Sequence, residues 1–221
     1  MTMTMIRWLV LIGALVLETG CVVGRRTVDL PVAPQAAPAQ ARGHIYIGAV
    51  TDDRVFQNKP DEPSTPSIDG DVNTLSAADK DKMIGRQRNG FGHAMGDIAL
   101  PAGDSVTQRM RALIAQGLAR AGYVVTTTAG APNTATVSVK EFWAWSTPGF
   151  ATLTFEARIA ATLTIDNGDG SKHVLSVKGY GLNHGQVAKN ANWQEAYTPA
   201  FDDFESDLGV ELRNLALKSD P

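Results

Sequence analysis

The chain of 221 residues contains a single cysteine, so no disulfide can form within it and its fold depends on apolar packing. Charge is scarce as well: charged residues make up 19% of the chain and the formal net charge is −3, which argues against the basic face of a general nucleic-acid binder. The amino-terminal hydrophobic stretch, residues 6–17, is shorter than the roughly 20 residues of a membrane-spanning helix. We therefore expect one domain with an apolar core and no nucleic-acid partner.

This hydrophobic stretch leads to Gly20 and Cys21, the single cysteine. A short apolar region followed by a small residue is typical of a secretory signal. With the cysteine it resembles the lipobox of bacterial lipoproteins, which implies removal of residues 1–20 and acylation of Cys21 with chains such as palmitate. Val22 follows instead of Asp, which implies an outer-membrane location, whereas Glu18 replaces the usual Leu. A cleaved signal with an incidental cysteine and an uncleaved anchor are the alternatives.

Composition divides the remainder of the chain. Residues 21–43 are rich in Pro, Ala and Gln without an apolar period, which predicts a tether that reaches up to roughly 70 Å if extended. Residues 44–221 are predicted to form a single α+β domain. Within it, residues 51–103 are predicted to be a long polar loop, because ordinary connections are far shorter. Ser76 followed by Asp79 is typical of a helix start and predicts a short helix in this loop.

Periodic patterns predict the ordered elements of the domain. The clearest is residues 151–165, where apolar and polar residues alternate as in a strand with one buried face. One helix is predicted from Asp104 or Ser105 to Gly122, and another from Thr198 onward. Further strands are predicted at 44–50, 123–128, 134–145 and 172–180. This β-α-β-β-β-α order predicts an α+β two-layer sandwich, with a mostly antiparallel sheet of four to five strands and two helices on one face.

Two short runs carry a family resemblance. Residues 47–50 read Ile-Gly-Ala-Val, and residues 118–125 read Leu-Ala-Arg-Ala-Gly-Tyr-Val-Val. With the cysteine-anchored start, the long hairpin strands and the carboxy-terminal helix, they resemble the YajG-like bacterial lipoproteins over residues 44–217. The resemblance implies a small periplasm-facing lipoprotein and supplies no catalytic residues. The segment 51–103 is longer than the family's usual equivalent.

Residues that could carry chemistry are few. The histidines lie in different predicted elements without ligand spacing, so we expect no metal and no cofactor: His44, His93, His173 and His184. Asp52 and Asp53 are adjacent carboxylates without a recognisable partner acid or base, and we expect them to cap the first strand. An enzyme acting on envelope polymers would need one of them to meet Glu156 in a cleft. We expect that the protein is not an enzyme.

Two groups of residues are candidate interaction sites. The first lies in the predicted loop, where guanidiniums could pair with anionic lipid headgroups or carboxylates: Arg86, Arg88, Asn89 and Phe91. The second flanks a predicted hairpin tip: Trp143, Trp145 and Phe150. Tryptophan is enriched in interface anchors. A solvated loop rim and the closed end of a core are the alternative interpretations of the two groups.

From these features we expect a lipoprotein anchored to membrane lipid through acylated Cys21 at the periplasmic face of the outer membrane. Its role would be structural or an interaction, in which it docks to an envelope protein. The alternative is a small-ligand or glycan-binding module, in which the aromatic rings of the second group form an exposed stacking surface.

Overall fold

The computed structural model describes residues 24–34, 37, 38, 40–89, 93–215 and 217. The predicted signal peptide and Cys21 lie outside this range. The described residues form eight strands and three helices, in this order: β1 (Arg26–Thr27), β2 (Gly43–Asp52), α1 (Ala77–Lys80), β3 (Met83–Arg88), β4 (Ala94–Ala99), α2 (Val106–Arg120), β5 (Tyr123–Thr126), β6 (Asn133–Pro148), β7 (Leu153–Asp166), β8 (Lys172–Gly185) and α3 (Asn190–Arg213).

The 16-residue strand β6 is the centre of one mixed sheet. On one side, β7 pairs antiparallel with β6 along its length, and β8 pairs antiparallel with β7. On the other side, two strands pair with β6 in parallel, one after the other. β2 lies beside residues 133–139, and β3 lies beside Ala144 and Trp145. β5 extends the sheet next to β2, while β4 and then β1 extend it next to β3.

The predicted fold class is wrong. Within the described residues the sheet is mixed and has eight strands, not four to five mostly antiparallel ones, and three helices accompany it, not two. Much of the difference lies in residues 51–103, predicted to be a long loop, which contain α1, β3 and β4. β3 and β4 have six residues each and include glycine and charged residues. Such strands lack a local alternating signal, and their pairing with distant strands determines their conformation.

Part of the segment predicted to be a tether packs on the domain. β1 pairs in parallel with β4, and Val28 and Leu30, which follow it, are each 1% exposed. The side chain of Asn190, at the start of α3, donates a hydrogen bond to the carbonyl oxygen of Thr27 at 2.9 Å. The chain therefore joins the folded domain well before residue 44.

α2 and α3 share one core with the sheet. Ser105 caps α2, since its Oγ accepts from the backbone N–H of Gln108 at 3.2 Å, which confirms the predicted helix start. The buried stripe of α2 includes Met110, Leu113, Ile114 and Leu118. The two helices approach closely at Gly117, where an added Cβ would lie 2.6 Å from Cδ2 of Leu208. Small size at position 117 therefore sets the distance between the helices.

α3 also packs closely on β8, and two glycines make this possible. A Cβ added at Gly179 would lie 2.2 Å from the carbonyl oxygen of Ala200, and one at Gly181 would lie 2.0 Å from that of Ala196. Both clashes are with backbone atoms of α3, which cannot move without displacing the helix. The glycines therefore permit a contact that no larger residue allows.

The outer edge of β8 is covered by acidic side chains of α3. The carboxylate of Asp203 accepts from the backbone N–H of Tyr180, and that of Asp207 accepts from the N–H of Lys178, both at 2.9 Å. A strand at the edge of a sheet otherwise presents such N–H groups to solvent or to another chain. α3 thus satisfies hydrogen-bond donors that β7 does not use.

A second apolar cluster lies on the other face of the sheet. Its buried members are Ile68, Val72, Met83, Ala99, Trp143 and Trp145. Phe56 and Leu75 pack against it, and the ring of Phe56 meets Trp143 edge-on with centroids 5.9 Å apart. The segment between β2 and α1 therefore covers this part of the sheet.

Arg54 occupies the gap between β2 and β3 along β6. Its side chain is fully buried, and Nη1 donates to the carbonyl oxygens of Met83 at 2.6 Å and Phe142 at 2.8 Å. Nη2 donates to the carbonyl of Lys80 at 2.8 Å, and both carboxylate oxygens of Asp52 accept at 2.7 Å. The guanidinium thus supplies donors where the pairing passes from one parallel strand to the next.

Candidate anion-binding site

A cavity of about 400 Å³ opens where β3 ends and β4 begins, beside the segment between β2 and α1. We call it the cationic pocket; its lining residues are Lys59, Pro60, Ser67, Ile68, Asp69, Arg86, Arg88, His93 and Ala94. Three of these side chains carry permanent positive charge and one is a carboxylate. In a chain whose net charge is −3, this is a local excess of the opposite sign.

The strand register explains how the guanidiniums come to this place. Arg86 and Arg88 are two residues apart on β3, so they point to the same face of the sheet. On that strand Arg86 pairs with Asp97 of β4 on one side and with Trp145 of β6 on the other. Asp69 belongs to the segment between β2 and α1, and its backbone N–H donates to Oδ1 of Asp97 at 2.9 Å.

Arg86 is buried, but its charge is only partly matched. Its side chain is 8% exposed, and Nη2 lies 3.2 Å from Oδ1 of Asp69. Nη1 lies 3.6 Å from Oδ1 of Asp97, which is an ion pair longer than a hydrogen bond. Nε of Arg86 has no hydrogen-bond partner among the described residues. Asp97 is also shared with Arg25, at 3.8 Å.

The pKa values of two groups beside Arg86 are shifted. Burial raises the pKa of the Asp97 carboxyl, against the lowering effects of the Asp69 N–H and of the charges of Arg86 and Arg25. Burial, followed by the charge of Arg86, lowers the pKa of the Arg88 guanidinium. The charge of Arg86 thus disfavours the charged form of Arg88, and an added anion would relieve that repulsion.

The structure brings part of the first predicted group together. Arg86 and Arg88 line the cationic pocket. Asn89 follows at the end of β3, and its side-chain oxygen accepts from the backbone N–H of His93 at 2.9 Å. Phe91 lies outside the described residues.

The second predicted group does not form one surface. Trp143 and Trp145 are 1% and 4% exposed, and both belong to the second apolar cluster. Phe150, by contrast, is fully exposed in the turn between β6 and β7. The expected stacking surface needs exposed rings, and within the described chain these two indoles are packing residues.

The carboxylates considered for catalysis have separate partners. Asp52 is engaged by Arg54, as described above. Asp53 accepts from the hydroxyl groups of Thr51 and Ser138, and Glu156 accepts from the phenol of Tyr180 at 2.7 Å. Of the two expected caps, Asp52 accepts from the backbone N–H of Arg54 at 3.3 Å directly after β2, whereas Asp53 contacts side chains.

Sequence reasoning missed several residues of the site: Lys59, Asp69, His93 and Asp97. They are spread over more than 30 positions, all within the segment predicted to be a loop. The one available signal was the Arg-x-Arg spacing at 86 and 88, which places both side chains on one face of a strand.

Comparison with known proteins does not identify a family. No protein-family model matches the chain. No curated protein matches it. Among solved structures, the chain is similar to protein XCC0632 from Xanthomonas campestris, assigned to the family DUF330, at 11% identity and a TM-score of 0.45; the match covers 85% of this chain and 95% of that one.

A second solved structure, of an uncharacterized protein, matches at 12% identity and a TM-score of 0.33, covering 86% of this chain and 94% of the other. At these identities and scores the likenesses carry no argument about what this chain does. The resemblance to the YajG-like lipoproteins therefore stays a prediction. Among the described residues, no helix has the length and apolar character required to span a membrane.

Proposed function

We propose that this protein is a lipid-anchored interaction module at the periplasmic face of the outer membrane, and that its cationic pocket binds an anionic group, a phosphate or a carboxylate, without transforming it. The anchor follows from the lipobox resemblance at Cys21. The binding role rests on one observation: the guanidinium of Arg86 is more than nine-tenths buried while its Nε has no partner within the described chain.

A buried guanidinium is costly unless carboxylates or other acceptors surround it. Here the two nearby carboxylates lie at 3.2 and 3.6 Å, and the second is shared with another arginine. An anion in the pocket would add charge-assisted hydrogen bonds, which are about twice as strong as neutral ones. Lys59 and Arg88 line the same space and would reinforce its attraction.

A non-catalytic role agrees with the contacts of the candidate carboxylates. Asp52 is held by Arg54, and Glu156 is held by Tyr180. The glycan-binding alternative has less support, because Trp143 and Trp145 are buried. An acidic group of an envelope protein would fit the pocket, which is the docking role expected from the sequence.

Calorimetric titration of the full chain in non-ionic detergent with inorganic phosphate, and separately with acetate, tests anion binding. We expect Arg86→Gln to weaken binding by about tenfold or more, because a charge-assisted hydrogen bond contributes about 1.5–3 kcal/mol. Asp69→Asn removes a carboxylate that competes for Arg86 at 3.2 Å, so it should strengthen binding severalfold. Lys178→Gln is the matched control, since Lys178 is exposed on β8 and the net charge changes equally.

The Asp69→Asn variant distinguishes loss of the anion site from damage to the fold. Arg86→Gln also removes a partner of Asp97, so a loss of binding could follow from damage to the fold. A damaged fold does not bind more tightly. If Asp69→Asn fails to strengthen binding, or if Lys178→Gln weakens it as much as Arg86→Gln does, the pocket is not the anion site.

A further inference from the structure

The described chain begins beside the cationic pocket. Gly24 lies against β4: its backbone N–H donates to the carbonyl oxygen of Met95 at 3.4 Å, and an added Cβ at Gly96 would lie 2.0 Å from the carbonyl oxygen of Gly24. Cys21 precedes Gly24 by three residues, which span at most about 10 Å. Instead of a long tether, acylation at Cys21 would leave this part of the domain within about 10 Å of the bilayer surface.

Strand register places the pocket and an exposed aromatic residue at the same end of the sheet. Arg86 pairs with Trp145 in the parallel strand β6, so Arg88, two residues further on, lies level with the last residues of β6. That strand ends at Pro148, and the turn after it carries Phe150, which is fully exposed.

β8 ends on the same side. Leu153, the first residue of β7, pairs with Gly185, the last residue of β8. Val187, two residues later, is 53% exposed. Gly24, the cationic pocket and the exposed side chains of Phe150 and Val187 therefore lie at one end of the sheet, which we call the anchor end.

We propose that the anchor end faces the membrane, with the phosphate of an anionic lipid headgroup in the cationic pocket and Phe150 in the interface. The proposal rests on the proposed function, both for the acylated cysteine and for the anion-binding pocket. Aromatic and cationic side chains are the residues that membrane interfaces favour, and each basic residue near an anionic surface adds to the attraction. Headgroup phosphate and free phosphate share the same recognition chemistry, so the test must separate the two sources.

Fluorescent labels at the two ends of β6 test the orientation. Mass spectrometry first establishes that Cys21 is acylated, so that Ala151→Cys and Ala129→Cys each supply one free thiol. Ala151 lies in the turn at the anchor end, and Ala129 precedes Asn133 at the opposite end. The 16 residues of β6 separate these ends by about 50 Å. In vesicles that contain a headgroup-attached quencher, the label at position 151 should be quenched strongly and the label at 129 hardly at all.

Vesicle composition and added phosphate separate the sources of the anion. Quenching at position 151 should increase when phosphatidylglycerol replaces part of the phosphatidylcholine, and Arg88→Gln should abolish this increase whereas Lys178→Gln should not. Added inorganic phosphate should reduce this phosphatidylglycerol-dependent increase in quenching when the ionic strength is kept constant. Equal quenching of both labels, or a bare thiol at position 21, overturns the orientation. Phosphate binding in detergent without any effect of phosphatidylglycerol overturns the headgroup assignment but leaves the proposed function intact.

Discussion

Replacement of Arg54 by methionine tests whether a guanidinium completes the sheet between β2 and β3. Methionine fills similar space but donates no hydrogen bonds. The change leaves three carbonyl oxygens without their donor, at Met83, Phe142 and Lys80, and it leaves the carboxylate of Asp52 without its cation.

The expected loss is large compared with the stability of a domain. A buried polar group left without its partner costs about 1–3 kcal/mol, and breaking a buried ion pair costs about 3–5 kcal/mol. Since water can reach the partly buried atoms, we expect Arg54→Met to lower the free energy of unfolding by about 5 kcal/mol. A typical domain has only about 5–15 kcal/mol in total.

Urea denaturation of the full chain in non-ionic detergent, followed by tryptophan fluorescence, measures this loss. Asp52→Asn combined with Arg54→Met should destabilise by about 2 kcal/mol less than the sum of the single changes, because the two side chains contact each other. Arg158→Met is the control, since Arg158 is exposed above the ring of Trp145 and its loss should cost less than about 1 kcal/mol. If Arg54→Met costs no more than the control, Arg54 does not hold the two strands together.

Two further changes test packing and charge. Gly179→Ala should destabilise by about 3 kcal/mol, because its Cβ meets the backbone of α3, whereas Gly209→Ala on the open side of α3 should stabilise by about 0.5–1 kcal/mol; thermal unfolding compares them. Burial raises the pKa of Asp97, so the folded state holds that proton more tightly than the unfolded state. The free energy of unfolding should therefore fall as pH rises from about 4 through the pKa of Asp97 in the folded state. Urea denaturation at several pH values in that range should show a smaller fall for Asp97→Asn. An identical pH dependence in the two proteins would contradict a raised pKa at Asp97.

Local patterns predicted the elements whose signal lies in their own residues. The alternation over residues 151–165 corresponds to β7, Leu153–Asp166, and the Ser105 cap begins α2. The Ser76 cap is also confirmed, because its side chain accepts from the N–H of Asp79, although the helix has only four residues. Such patterns involve residues three or four apart, or every second residue, so they can be recognised in the sequence without knowledge of the tertiary structure.

The start of α3 could not be predicted in the same way. The pattern at Thr198 and Pro199 indicates a helix beginning there, but α3 starts at Asn190 and contains the proline. A proline inside a helix removes one hydrogen bond and costs about 3 kcal/mol. This cost is offset because the turns of α3 that begin at Asn190 bury Trp193 and Tyr197 completely. The ring of Pro199 also packs near Gly181 of β8.

The candidate site was predicted in part for a similar reason. Arg86 and Arg88 could be singled out because they are close in sequence and similar in chemistry. The carboxylate partners of Arg86, Asp69 and Asp97, could not, because only the pairing of β3 with β4 and the path of the segment between β2 and α1 bring them close. The charge balance of a pocket is a property of the tertiary structure, so the local sequence does not reveal it.

The cover that α3 places over β8 has a consequence during biosynthesis. Asp203 and Asp207 belong to α3, which follows β8 in the chain, so the N–H groups of Lys178 and Tyr180 gain their acceptors only after residues 203–207 have also been synthesised. Until then β8 is an unprotected template for pairing with another molecule. The protein should therefore be most prone to self-association before α3 has docked on β8, and less prone afterwards.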